Sequence, residues 1–518
     1  MSIDQPARSP DPPVLGTRLI SLAVASALLM EFIDSTALST ALPTLALAFR
    51  VDPIHLKLAL TSYILALAVF TPASGWAAER FGARRVFMTA MVVFLAGSAL
   101  CGLSRNLEAL VASRILQGLG GAMMTPVARL IVVGSTPKDK LIRAMGWFTM
   151  PALVGPLIGP PLAGLVLSVA DWPWIFYLNL PIGLLGMTAV MRFVPKSRPD
   201  KEMGRFDTVG FLLSAVAISG LVVVAETAGL SLLPPLAQVT VLALALAAGW
   251  LYLRKAKVTP RPILDLDLLK HRTFRASLLG GTLVRLGIGA SPFLTPLLLQ
   301  VALGWSPLKA SVVTLGAGVG VLIARPFAAA GLKHFGFRTS LAVFVTLTAI
   351  LTAAPGFFTL ATPMAVMTGA LFLGGFARSN QFIAANTIAY ADVPQPKVAA
   401  ASTLSAVAQQ VGLALGVSFG GLMLHIARGH HAHLTPDRFT WPFVAIGLVT
   451  LLALPVYLRL DRDAGSEISG RARRSGPPPV GEVSAKPTEG DEVAPRVGLA
   501  PPPVAVRPPP PRGEVLSD

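Results

Sequence analysis

Gly75-Trp76-Ala77-Ala78-Glu79-Arg80-Phe81-Gly82-Ala83-Arg84-Arg85 is a short turn with three arginines, set between two long apolar runs at 56–76 and 86–104. A run of about 20 apolar residues in helical form crosses roughly 30 Å of hydrocarbon. Two such runs joined by so short a turn must lie antiparallel. Gly82 is the residue such a turn needs, because it tolerates backbone angles closed to other side chains. Glu79 is placed to cap a helix end and to pair with a neighbouring arginine.

Working outward, the same pattern repeats along the chain. Apolar runs occupy 19–40, 56–76, 86–104, 107–131, 145–169, 174–194, 208–226, 233–253, 276–300, 308–330, 340–355, 361–387, 399–424 and 440–458. Fourteen membrane-spanning helices are therefore expected, with 340–355 the shortest. Composition agrees: of 518 residues, 53% are hydrophobic and only 13% charged, with a mean hydropathy of +0.67. A soluble protein carries about 25% charged residues, so this chain could not cover a water-facing surface. The expected class is an all-α polytopic membrane protein.

The net charge of +17 does not signal nucleic acid, because the basic residues cluster in short loops. With the N-terminus taken as inside, the lysines and arginines concentrate in the inner loops of each alternating pair. Positive loops stay cytoplasmic, which puts both termini there. The lone Cys101 allows neither an intramolecular disulfide nor a cysteine-based metal site. No cofactor is expected. No G-x-x-x-x-G-K-[ST] string is present, so ATP is not the direct energy source unless a separate subunit supplies it. Gly416-Val417-Ser418-Phe419-Gly420 lies mid-helix without a preceding strand and is not a hydrolase elbow. His425, His430, His431 and His433 crowd one loop, without carboxylates at a metal-binding spacing.

An internal echo organises the chain. Phe81-Gly82-Ala83-Arg84 follows the second run and Phe335-Gly336-Phe337-Arg338 the tenth, 254 positions later; Gly120-Gly121 and Gly374-Gly375 match at the same offset. The expected arrangement is an N-terminal tail (1–18), a six-helix half (19–194), an inserted helix pair with its loops (195–275), a second six-helix half (276–458) and a Pro-rich tail (459–518). Transporters built from repeats hold substrate between the halves.

The opening stretch resembles the signature that the major facilitator superfamily carries between its second and third spans, G-x-L-A-D-R-x-G-R-K/R-R. Glu79 stands for its Asp and Ala83 for its Arg. Four further stretches resemble the fourteen-span drug:proton antiporters of that superfamily, the EmrB/QacA-like group. These are Phe32-Ile33-Asp34-Ser35-Thr36 with Ala41-Leu42-Pro43; Arg114-Ile115-Leu116-Gln117-Gly118; Gly155-Pro156-Leu157-Ile158-Gly159; and Trp172 to Gly183 (WPWIFYLNLPIG). Pro151, Pro160 and Pro173 depart from the pattern. The resemblance covers about 19–458 and implies export of lipophilic drugs, dyes or biocides, often cationic, in exchange for protons. It makes Gly75, Glu79, Arg80, Gly82, Arg84, Arg85, Gly155, Pro156 and Gly159 conformational elements. Some members of the group work with a periplasmic adaptor. Partners are then a small-molecule substrate, protons and the bilayer, with no nucleic acid.

The charged residues inside the spans can be read on their own. An ionisable side chain there costs several kcal/mol unless paired or facing water. At 1.5 Å per residue, Asp34 and Arg114 fall at a similar depth, about 20 Å from the inner face, and are expected to pair. Glu31 lies three residues from Asp34, on the same helix face. Two carboxylates in a poorly hydrated site resist ionising together, while a guanidinium favours the charged form. A change in the Arg114 distance would therefore capture or release a proton, and the acidic pair would suit a cationic substrate. Gln117 and Arg285 are candidate cavity residues, with Arg285 alternatively the partner of Glu31. Arg129, Arg325 and Arg378 are expected to snorkel to the inner surface, and Glu226 to be solvated at the outer one. Nutrient uptake or facilitated diffusion on the same fold, and a lipid flippase or membrane-embedded lipid enzyme, are the rival readings.

Overall fold

A computed structural model describes residues 14–137, 140–196, 204, 206–228, 233–260, 262–429 and 434–469. His430, His431 and His433, and the Pro-rich tail from 470 on, lie outside the described residues. Every regular element among those described is helical. Lipid offers backbone groups no hydrogen bonds, so a spanning segment must satisfy them internally.

The first helices are α1 (Val14–Phe49), α2 (Lys57–Phe81), α3 (Ala83–Leu103), α4 (Leu107–Gly134) and α5 (Leu141–Val169). One span is divided into α6 (Trp174–Tyr177) and α7 (Asn179–Phe193). Next come α8 (Thr208–Thr227) and α9 (Pro235–Val258), then α10 (Arg272–Gly289), α11 (Ser291–Pro296) and a π-helical segment (Leu297–Ala302). The remainder is α12 (Pro307–Ala353), α13 (Met364–Ile388), α14 (Val398–Arg428), α15 (Thr440–Leu451), α16 (Leu454–Leu458) and a short α17 (Ser466–Ser469).

Thirteen stretches among the described residues are long and apolar enough to cross a membrane. The 25-residue α13 is a fourteenth helix of sufficient length. Its hydropathy is diluted by the run Arg378-Ser379-Asn380-Gln381. The 47-residue α12 is two helices meeting at Gly336, whose φ is 75°. The span expected at 340–355 thus begins earlier, at this turn.

Gly82, 254 positions before Gly336, joins α2 to α3 with a φ of 91°. Both echoed glycines thus hold the left-handed backbone that side chains resist. Gly82→Ala is expected to cost about 1–3 kcal/mol through backbone strain, seen as a lower thermal midpoint for the purified protein in detergent.

The packing is asymmetric along the bundle. Near the Gly82 turn, a core of residues such as Val24, Phe87, Phe94 and Val132 belongs to α1–α7 alone. Near the Gly336 turn, Phe337, Leu341, Ile388 and Tyr457 form a separate core. At the opposite end, hereafter the far end, one core mixes both sets: Leu42 and Leu45 of α1 pack with Phe293 and Leu297, and with Phe439 and Phe443. The far end is closed by shared apolar packing. At the basic-turn end the two sets keep their own cores.

Candidate functional site

Asp34 of α1 and Arg114 of α4 are each about 1% exposed, and the structure brings them together. Arg114 Nη1 donates to Asp34 Oδ2 at 2.5 Å and to Gln117 Oε1 at 2.5 Å. Gln117 Nε2 donates to Asp34 Oδ1 at 2.8 Å, as does Asn179 Nδ2 at 2.8 Å. Arg114 Nε reaches the Ala59 carbonyl at 3.2 Å, and the guanidinium stacks over the Tyr63 ring at 4.2 Å. Asn179 also donates to Ser98 Oγ at 2.9 Å, which in turn donates to the Phe176 carbonyl at 2.9 Å. A buried ion pair is tolerable only when further hydrogen bonds complete it. Here α1, α2, α3, α4 and α7 all contribute.

Glu31 lies one turn away and is partly buried; it accepts a single hydrogen bond, from Thr125 Oγ1 at 2.8 Å. Arg285 is not its partner. That guanidinium is 8% exposed and sits 5.0 Å over the Phe382 ring of α13. Glu31 faces α4 whereas Arg285 packs against α13 and α14, so equal offset in sequence did not become contact.

A cavity of about 240 Å³ lies where α1 and α5 meet α11, the π segment, α12 and α13. Its walls include Ser35, Thr36, Pro156, Pro160, Thr295, Thr314 and Arg378. Neither Gln117 nor Arg285 lines it: Gln117 is turned into the Asp34 cluster and Arg285 into the α10–α14 packing. Glu31 and Asp34 are also absent from the wall, although their neighbours Ser35 and Thr36 form part of it. Arg378, expected at the inner surface, faces the cavity instead. It lies about 15 Å along the helix from Ile388, too far for its side chain to reach the end. Arg129 and Arg325 are exposed.

Helix α5 reaches both sides of this cavity. A Cβ on Gly155 would sit 2.6 Å from Phe32 Cβ, and one on Gly159 would sit 1.9 Å from Thr36 Oγ1. These two glycines let α5 seat directly on α1. Pro156 and Pro160, between and beside them, turn towards the cavity. Across it, Gly318 of α12 approaches the Leu157 backbone.

The sequence pattern of the major facilitator superfamily matches residues 24–263 and 277–508. The chain belongs to the Major Facilitator Superfamily. It is 34% identical over 463 residues to the Escherichia coli (strain 55989 / EAEC) protein named "Putative multidrug resistance protein MdtD", covering 87% of this chain and 97% of that one. The protein of the same name from Shigella boydii serotype 4 (strain Sb227) matches equally, at 34% over 463 residues. Among solved structures, an auto-inhibited POT family peptide transporter aligns with a TM-score of 0.65 at 16% identity, over 86% of this chain and 97% of that one. A D-xylose-proton symporter aligns at 0.61 and 16%, over 85% and 97%. The protein is therefore a multi-pass membrane transport protein and not an enzyme.

Within the family's turn signature, Arg84 donates to the Met191 and Val194 carbonyls at 2.8 and 2.7 Å, closing the end of α7. A cation at a helix C-terminus also meets the negative end of its dipole. Glu79 does not make the expected pair: it is exposed and has no ion-pair partner among the described residues. At a hydrated helix end such a pair contributes little. Arg85 is exposed; Arg80 is partly buried. A Cβ on Gly75 would meet nothing within 4 Å, so this glycine serves no close approach here.

Glu226 does not reach the hydrated outer surface either. Far from being solvated, it is 4% exposed at the end of α8, tucked against α2 and α14. Lys57 Nζ, on a fully buried side chain, lies 3.1 Å from Glu226 Oε2 and donates to the Glu226 carbonyl at 2.8 Å. Sequence reasoning missed Lys57, Ser98 and Tyr63 altogether. Asn179 carried a signal, as a lone amide in an apolar span beside the aromatic run 172–177.

Proposed function

We propose that this protein is a proton-coupled exporter of small lipophilic compounds, working by alternating access in the bacterial cytoplasmic membrane. The observation that carries the reading is the Asp34 cluster, a completed buried ion pair whose next residues, Ser35 and Thr36, form the cavity wall. Multidrug efflux as the direction is supported by the name of the 34%-identical relatives. Proton loading at Asp34 would remove the charge that holds Arg114, Gln117 and Asn179 in place. Four helices would then be free to shift against α1. Glu31, with one neutral donor, is the second proton-binding group. The turn residues 79–85 and the α5 residues Gly155, Pro156 and Gly159 are the elements that move or bear on the movement.

The proposal divides the chain into two six-helix halves, 19–194 and 276–458, with 195–275 inserted as a helix pair. The matching positive φ at Gly82 and Gly336 supports this division, as do the separate cores beside them. With the basic turns and both termini cytoplasmic, as the loop charges favour, the closed far end is periplasmic and the conformation faces inward.

Collapse of a preformed pH gradient in everted vesicles, on adding a panel of lipophilic dyes and biocides, tests it. Asp34→Asn is expected to reduce substrate-dependent collapse about a hundredfold or more, the scale of a positioned proton-transfer group. Wild-type rates in that variant would remove Asp34 from the coupling mechanism.

A further inference from the structure

We infer that the central cavity recognises the anionic group of an amphipathic solute, with Arg378 as the residue that binds it. Arg378 is the one charged side chain among the described residues lining this cavity, and no described aspartate or glutamate lines it. Its guanidinium makes no ion pair, hydrogen bond or ring contact with any described residue. The three cations buried inside the spans each face another group: Arg114 faces Asp34, Lys57 faces Glu226, and Arg285 lies over the Phe382 ring. An ionisable group inside a span normally faces a partner or a water-filled path. Here the unpaired donor faces a space between the two helix sets.

The rest of the wall has matching chemistry. The hydroxyls of Ser35, Ser291, Thr295 and Thr352 donate no hydrogen bond within the described protein, so they are free to donate to a ligand. Around them lie Pro156, Pro160 and other apolar groups, a surface for a lipophilic body. A guanidinium presents a planar fork that matches a carboxylate, sulfonate or phosphate. The two acidic residues that would draw a cation, Glu31 and Asp34, are engaged by Thr125 and by the Arg114 cluster.

This inference rests on the transporter reading above for the location of the substrate, and the experiment separates the two. The probes share one body: 2-naphthalenesulfonate, 2-naphthalenesulfonamide and (2-naphthylmethyl)trimethylammonium. Binding is read first, as the rise in thermal midpoint of the purified full-length protein, since a ligand of the native state stabilises it. The sulfonate is expected to raise the midpoint most. Arg378→Gln is expected to weaken its apparent affinity at least about tenfold and leave the sulfonamide unchanged, and Arg378→Lys to recover part of the loss. Accumulation of the same three probes in everted vesicles under a pH gradient is read second. Sulfonate binding that depends on Arg378, without transport, would sustain the anion site and sink the export reading. Transport of the ammonium probe, with Arg378→Gln indifferent to the sulfonate, would do the reverse. Absence of any midpoint shift with the sulfonate overturns the inference. Dihexanoyl phosphatidylglycerol supplies the same anionic chemistry as a lipid; protection by it in place of the sulfonate overturns the small-solute assignment.

Discussion

Arg114→Met is expected to destabilise the protein by about 3–5 kcal/mol, the scale for removing one partner of a buried ion pair. The guanidinium serves Asp34, Gln117 and the Ala59 carbonyl together and lies over Tyr63. Methionine fills much of the volume but supplies no donor. Asp34 would keep only the two amide donors from Gln117 and Asn179, and its charge would stay buried without a counter-charge. Thermal or denaturant unfolding of the purified variant in detergent measures the loss. Adding Asp34→Leu is expected to recover a large part of it, because an apolar pair avoids the desolvation cost altogether. A wild-type midpoint in Arg114→Met would show that the pair contributes nothing to holding α1 against α4.

A second large effect is expected at a pair outside the cavity wall. Lys57→Met should also cost about 3–5 kcal/mol, because it leaves the Glu226 carboxylate buried at the end of α8 and takes the donor from its carbonyl. The Lys57 stem packs on Gly421, where an added Cβ would lie 2.5 Å from Lys57 Cδ, so one side chain joins α2, α8 and α14. Glu226→Gln in the Lys57→Met background is expected to restore most of the stability by removing the stranded charge. Additive losses in that double variant would mean that the two side chains do not interact.

The pair at Asp34 and Arg114 was legible because helical rise converts residue number into depth, and two buried charges of opposite sign at one depth have few alternatives. The Lys57–Glu226 pair was not legible by the same arithmetic. Both residues stand near the ends of their apolar runs, where hydration and burial are equally compatible with sequence. Only the packing of α8 against α2 and α14 takes them out of water. Arg378 shows a related failure. Its position in the run gave a depth but no azimuth, and azimuth decides whether a cation meets lipid headgroups or a central cavity.

Glu31 and Arg285 mark the limit of what the 254 offset can say. The 254 offset correctly paired Gly82 with Gly336, because a tight turn is a local demand that each glycine meets alone. It carries no information on contact: Glu31 and Arg285 stand at the same offset, yet Glu31 meets Thr125 and Arg285 meets Phe382. The sequence by itself determined the membrane class, the helices and their order, the glycine turns and the Asp34–Arg114 pair, all of which follow from local hydropathy, backbone sterics and rise per residue. Only the tertiary structure decided which end of the bundle is closed, which side chains line the cavity, and that Arg378 faces it unpaired. Those depend on the rotation and contact of helices distant in the chain, and one-dimensional periodicity carries no information on either.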